Sequence, residues 1–364
     1  MGEEVPVVRT TEYINRGRDV VSSSATDGDS APDHLVVMVH GILGSSGDWQ
    51  YAANEFVKQL PDKVVVHCSE RNMHRLSLRG VDFMGERLAE EVLEVIGERP
   101  EIRKISFIAH SIGGLVARYA IARLYRPRTG NICGLEPINF IAVATPHLGS
   151  RGNKQQVPLL LGFVRMEYLA SRVIHWLFGR AGRHLFLTDG EEGKPPLLLR
   201  MITDSGNLRF ISALRAFERR MAYANVDCDQ VVGWRTSSIR RKNELPQLDS
   251  YINQKYPHIV HEEYTEANDS GPCEDLTSAD DFEAMEEKMV NGLSRVSWEK
   301  VDVSFHNSLQ WLVAHSIIQL LVEKQRKSML VQQKILVSWG FGLSRNRIKP
   351  HLLRETCLYG LGET

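Results

Sequence analysis

Six short apolar runs punctuate the chain. Leu35–Val39, Lys63–Cys68, Lys104–His110, Ile138–Pro146 and Met221–Val226 are nearly continuous, and Ser297–Phe305 alternates. A continuous run of this length fits a strand buried on both faces of a parallel sheet. Other stretches between the runs repeat at helical spacing. In "DFMGERLAEEVLEVIGER" the apolar positions Phe83, Leu88, Val92 and Ile96 recur three to five residues apart, and "GLVARYAIARLY" follows the third run directly. Strands alternating with helices predict an α/β protein with a mostly parallel, doubly wound sheet, helices on both faces and right-handed crossovers.

The rhythm is absent or broken in four places. Residues 1–33 are polar and rich in Ser, Asp and Gly, which predicts a flexible leader. Residues 155–220 interrupt the α/β alternation with "VPLLLGFVRMEYLASRVIHWLFGRAGRHLFL". This segment is either a helical pair packed on the core or a cap whose amphipathic, basic character suits a membrane surface. Residues 262–290 are acidic and read as a surface excursion. Residues 323–364 turn basic and take no assignment, leaving 34–322 as the folded domain.

Composition narrows the chemistry by exclusion. Lys+Arg number 44 and Asp+Glu 45, a net charge of -1, which gives no support to nucleic-acid binding, since that usually shows a basic face. No positively flanked apolar core opens the chain, so no secretory signal is expected. No apolar run reaches the ~18 residues of a membrane span. The five cysteines are scattered without C-x-x-C spacing and read as free thiols in a reducing compartment. The expected location is cytoplasmic, with peripheral contact to membranes or lipid droplets through the cap. No H-E-x-x-H, P-loop or G-x-G-x-x-G pattern appears, so neither a metal nor a cofactor is expected.

"ISFIAHSIGGLVARYAI" carries the candidate chemistry. A strand turning sharply into a helix needs small residues two before and two after its corner, and here Ala109 and Gly113 flank Ser111. Such a bend lifts a hydroxyl above the sheet and aims helix amides toward it. A second loop, "VHGILGSSGDW", ends the first apolar run. The amides of Ile42 in that loop and of Ile112 after the serine are the candidate donors to an oxyanion.

"VHGILGSSGDW", "AHSIGGLVARYA" and "ATPHLGS", in this order, resemble the α/β-hydrolase lipases, and most closely the DUF676 serine esterase family of lipase-like proteins common in plants and fungi. The resemblance spans about residues 34–320. It departs from the usual pattern in two places: Ala109 stands where glycine is usual, and the basic tail matches nothing in the family. It implies an α/β-hydrolase fold, a cap, and a serine carboxylester hydrolase acting on acyl lipids. The fold alone leaves thioesterase, amidase or acyltransferase chemistry open, as well as an inactive binding relative.

A serine needs a base, and the superfamily order is Ser, acid, His. "YANVDCDQVVGW" offers Asp227 and Asp229, and the resemblance favours Asp229. "VDVSFHNSLQWLVAHSIIQL" offers His306 and His315, and the H-x-I-I string resembles the histidine segment of related lipases, which favours His315. The other histidines read as supports: His110 as structural, His147 as shaping a pocket or ending a strand, and His40 as a hydrogen-bonding prop for the oxyanion loop.

Overall fold

A computed structural model describes residues 13–16, 19–22, 31–60, 63–150, 178–191, 193–226, 229, 231–248, 256, 258–268, 282–305 and 315. The sheet strands are β1 (Tyr13–Arg16), β2 (Asp19–Ser22), β3 (His34–Val39), β4 (Val64–Cys68), β5 (Lys104–His110), β6 (Glu136–Val143), β7 (Arg219–Asn225), β8 (Ile259–Thr265) and β9 (Trp298–Val303). They form one nine-stranded sheet in the order β1-β2-β4-β3-β5-β6-β7-β9-β8. The six strands from β4 to β9 in that order pair in parallel, while β1, β2 and β8 add antiparallel edges. This is the mostly parallel, doubly wound arrangement expected from the apolar runs, and it agrees with the α/β-hydrolase fold that the resemblance implies.

The continuous runs are explained by two apolar layers. On β3, Leu35, Val37 and Val39 face one core cluster, and Val36 and Met38 face the other. Helix α1 (Gln50–Gln59) covers the second face with Ala53, Phe56 and Val57. Helices α2 (Val81–Glu98) and α3 (Ile112–Leu124) cover the first. Alternation along a strand sends successive side chains to opposite faces, so burial on both faces makes every position apolar.

Some expectations shift. The buried stripe of α2 is Val81, Met84, Leu88, Val92 and Val95. Phe83 lies outside it, 54% exposed, with the Arg180 guanidinium 4.9 Å above its ring. Strands β1 and β2 fall inside the stretch read as a leader. The acidic excursion holds the end of β8 and much of α4 (Phe282–Leu293), which buries Met289, Val290 and Leu293. Both β1 and β8 are sheet edges, and β8 fully buries only Ile259, so it lacks the apolar run that marks a central strand. The cap segment through residue 177, residues 269–281 of the acidic run and the basic tail lie outside the described residues. Among those described, no helix is long and apolar enough to cross a membrane.

Candidate active site

Parallel strands deliver their C-terminal ends to one rim of the sheet, where α/β folds place their ligands. Strands β3 and β5 are neighbours there, and the chain reverses its direction of travel across the sheet between them. The segments that follow β3, β5, β7 and β9 carry the candidate residues.

Ser111 sits between β5 and α3 with φ 56° and ψ −134°. A non-glycine residue with positive φ is uncommon and costs about 1–3 kcal/mol, so the surrounding packing has to enforce it. Gly113 shows how. A Cβ at that position would lie 2.5 Å from the His40 carbonyl oxygen and 2.8 Å from that of Val39, so α3 starts in direct backbone contact with the end of β3. Gly41 closes the approach from the other side, where an added Cβ would stand 3.0 Å from Ser111 Cβ. The Ser111 amide donates to the Val143 carbonyl at 2.9 Å and ties the bend to β6.

The structure brings Ser111, His315 and Asp229 together. Ser111 Oγ lies 3.0 Å from His315 Nε2, and His315 Nδ1 lies 2.9 Å from Asp229 Oδ2. A carboxylate can only accept, so Nδ1 carries the imidazole proton and Nε2 presents a lone pair to the hydroxyl. Asp229 is nearly buried, and its oxygens are fully occupied. Oδ1 accepts the amides of Val231 (3.0 Å) and Val232 (2.8 Å), and Oδ2 also accepts Asn225 Nδ2 at 2.9 Å. Burial alone would raise this carboxyl. The hydrogen bond and charge of His315, with the Val232 amide and Asn225, outweigh burial and hold it below the usual carboxylate range.

The β3 loop is shaped by its own bonds. The Gly44 amide donates to the Gly41 carbonyl at 3.2 Å, forming a tight turn around Ile42 and Leu43, and the Leu43 amide donates to Ser77 Oγ at 2.7 Å. His40 Nδ1 donates to the Gly41 carbonyl at 2.9 Å. Ile112 is the first residue of α3, so its N–H has no acceptor within the helix. His147 is fully buried against the Trp298 ring, 5.4 Å between centroids, and burial followed by the nearby Arg118 charge pushes its imidazole well down. The alternatives Asp227 and His306 lie outside the described residues.

Two contributors carried little signal in the sequence. Asn225, at the end of β7, supports Asp229. His110, buried beside Ser111, donates from Nε2 to the His315 carbonyl at 2.7 Å. A polar residue closing an apolar strand is the one cue that pointed to Asn225. The bond from His110 ends on a backbone atom, which leaves no mark in side-chain identity.

A family model described as "Putative serine esterase (DUF676)" matches residues 29–239. The chain is 34% identical over 212 residues to "Putative lipase ROG1" of Saccharomyces cerevisiae, covering 57% of this chain and 28% of that protein. It is 29% identical over 222 residues to "Putative lipase C4A8.10" of Schizosaccharomyces pombe, covering 58% of this chain and 26% of that one. The match thus spans under a third of the length of these yeast relatives. Among solved structures, the mature lipase BlEst2 of Bacillus licheniformis has a TM-score of 0.35 at 19% identity, covering 56% of this chain and 69% of that one. The lin2722 product of Listeria innocua has a TM-score of 0.41 at 9% identity, covering 88% of this chain and 96% of that one. A family match over more than half of the sequence, together with the sheet order and the corner serine, identifies the chain as a member of the DUF676 serine esterase family.

Proposed function

We propose that this chain hydrolyses carboxylic esters of acyl lipids, with Ser111 as nucleophile, His315 as base and Asp229 as its orienting acid. The observation that carries this reading is the His315 ring, bridging Ser111 Oγ at 3.0 Å and Asp229 Oδ2 at 2.9 Å from opposite nitrogens.

In the first step Ser111 Oγ attacks the ester carbonyl carbon and its proton passes to His315 Nε2. The negative charge that develops on the carbonyl oxygen is met by the Ile42 and Ile112 amides. Asp229 stabilises the imidazolium without taking its proton. The tetrahedral intermediate collapses, the carbon–oxygen bond to the alcohol breaks, and the leaving alkoxide takes the proton from His315. Water then attacks the acyl-enzyme with His315 again as base, releasing the fatty acid and restoring Ser111.

Two observations favour an apolar acyl group. Leu43, on the loop after β3, is 54% exposed, and Val231, on the Asp229 loop, is 51% exposed. Exposed apolar side chains on two loops beside the nucleophile offer contact to an acyl chain. The names of the yeast relatives as putative lipases point the same way.

A fluorophosphonate probe and a substrate panel test the reading together. The probe is expected to label wild type at Ser111 and to leave Ser111→Ala unlabelled. Acyl esters and phospholipids are expected to turn over faster than matched thioesters and amides. Unlabelled, folded wild type would reject the nucleophile, and a preference for thioester or amide would reject the substrate class.

A further inference from the structure

We propose that His110 is a positioning residue that sets the reach of the base by holding the backbone of His315. The proposal builds on the Ser111–His315–Asp229 reading and adds a second point of attachment to it. Residue 315 is gripped from two consecutive positions. His110 Nε2 donates to its carbonyl at 2.7 Å, and Ser111 Oγ meets its ring at 3.0 Å. The two imidazoles also lie against each other, with centroids 4.8 Å apart and planes tilted by 47°.

The acceptor decides the tautomer. A carbonyl oxygen has no proton to give, so His110 carries its proton on Nε2 and leaves Nδ1 bare. Burial, then the neighbouring His315, push the His110 imidazole down to about 3, so it stays neutral wherever a serine hydrolase works. Its donor is therefore constant across that range. The other edge of the ring meets the β3 loop, since a Cβ at Gly41 would stand 3.1 Å from His110 Nδ1. One side chain thus touches the loop of Ile42, is covalently adjacent to the nucleophile, and holds the segment that carries the base.

Positioning of this kind has a function because His315 is 204 positions from Ser111 in sequence. A base presented on a distant segment needs its backbone fixed as well as its ring. Misplacement by a fraction of a hydrogen-bond length lowers the rate without altering substrate affinity. Nothing in this arrangement contacts the substrate, so the expected effect falls on kcat.

The test replaces His110 by Phe, Gln and Asn in the full chain. Phe keeps a ring without the donor. The terminal amide of Gln sits at the reach of Nε2, whereas that of Asn sits at the reach of Nδ1. His110→Phe and His110→Asn are expected to lower kcat about 10- to 100-fold, the scale of one lost orienting hydrogen bond, with KM held within about 2-fold. His110→Gln is expected to recover most of the loss. If Gln and Asn lose kcat equally, or if Phe keeps wild-type kcat, the proposal is overturned. Should the Phe variant fail to fold, the Gln/Asn pair still decides. Fluorophosphonate labelling of wild type Ser111 separates the two levels: labelled wild type with indifferent His110 variants removes only the positioning role, and unlabelled wild type removes the nucleophile reading beneath it.

Discussion

Two clusters among the described residues combine serine, histidine and carboxylate, and they are wired differently. In one, His315 stands in the middle, between Ser111 at 3.0 Å and Asp229 at 2.9 Å. In the other, Glu91 stands in the middle. It accepts His67 Nε2 at 3.1 Å and the Glu70 amide at 2.7 Å on Oε1, and Ser69 Oγ at 2.9 Å on Oε2. Residue content is nearly the same, but the order is not. With an imidazole in the centre, the hydroxyl faces a ring nitrogen that takes its proton in the proposed mechanism. With a carboxylate in the centre, the hydroxyl and the imidazole each donate to it, on different oxygens. Access differs as well: the His67 and Glu91 side chains are both 0% exposed, whereas that of His315 is 14% exposed. Glu91 anchors the segment after β4 to α2, while Asp229 orients a ring that faces the rim.

The largest expected difference comes from removing each histidine. His315→Ala is expected to lower kcat by about 10⁴-fold or more, as loss of a base does in comparable triads, with the fold intact by circular dichroism. His67→Ala should leave kcat per folded molecule within about 3-fold and show its cost as a lower melting temperature. Equal kcat losses in the two variants would mean that the two clusters have been assigned the wrong way round.

The carboxylates extend the contrast at smaller scale. Asp229→Asn keeps the shape of the side chain but upsets the His315 tautomer, and about a 10³- to 10⁴-fold fall in kcat is expected. Glu91→Gln leaves a buried network with unmatched donors, at a cost of about 2–4 kcal/mol in unfolding free energy with little change in kcat. Denaturant melts of both variants, paired with initial rates, place each carboxylate on one axis or the other.

The sequence announces these clusters unequally. The central strands were legible because burial on both faces makes runs such as Leu35–Val39 apolar throughout, and the bend at Ser111 was legible because Ala109, Gly113 and the strand-to-helix change coincide. The pairing of Ser111 with residues 229 and 315 was not contained in any local pattern. The choice of Asp229 and His315 over Asp227 and His306 came from resemblance to lipases, since nothing in spacing brings such distant positions together. Edge strands β1 and β8 escaped notice because β8 fully buries only Ile259 and neither carries an apolar run. Phe83 misled because helical spacing alone does not say which stripe of α2 faces the core. His67, Ser69 and Glu91 gave no warning either: a buried carboxylate taking backbone amides looks in sequence like any helix-face glutamate.

Acid separates the clusters less than mutation does, because both carboxyls are held below their usual range. For Glu91, burial pulls upward, and the His67 hydrogen bond and charge with the Glu70 amide and Ser69 outweigh it. For Asp229, His315, the Val232 amide and Asn225 likewise outweigh burial. A carboxyl lowered on folding stabilises the fold fully above its unfolded value, about 3.9 for Asp and 4.3 for Glu. That contribution is lost as the pH falls from there through the folded value. Melting temperature is therefore expected to drop below about pH 4. Glu91→Gln, already lower at neutral pH, should show a shallower decline, because one of the groups that must bind a proton is gone. A decline as steep as wild type would show that Glu91 is not depressed.

The smallest effect belongs to the second serine, and it tests the comparison most directly. Ser69 is fully buried, and its hydroxyl donates to Glu91 Oε2, which the Arg71 amide also approaches at 3.4 Å. Its backbone N–H donates to the Met38 carbonyl at 2.9 Å whatever the side chain. Ser69→Ala therefore removes one donor from a carboxylate that keeps others, at a cost of about 1 kcal/mol. For a domain of this size that is a melting shift of about 2–4 °C. Fluorophosphonate labelling and kcat should both remain at wild-type level, because the hydroxyl that is lost donates to the Glu91 carboxylate. Loss of labelling in Ser69→Ala, with Ser111→Ala still labelled, would transfer the nucleophile to the carboxylate-centred cluster and reverse the rule that the central group decides the chemistry.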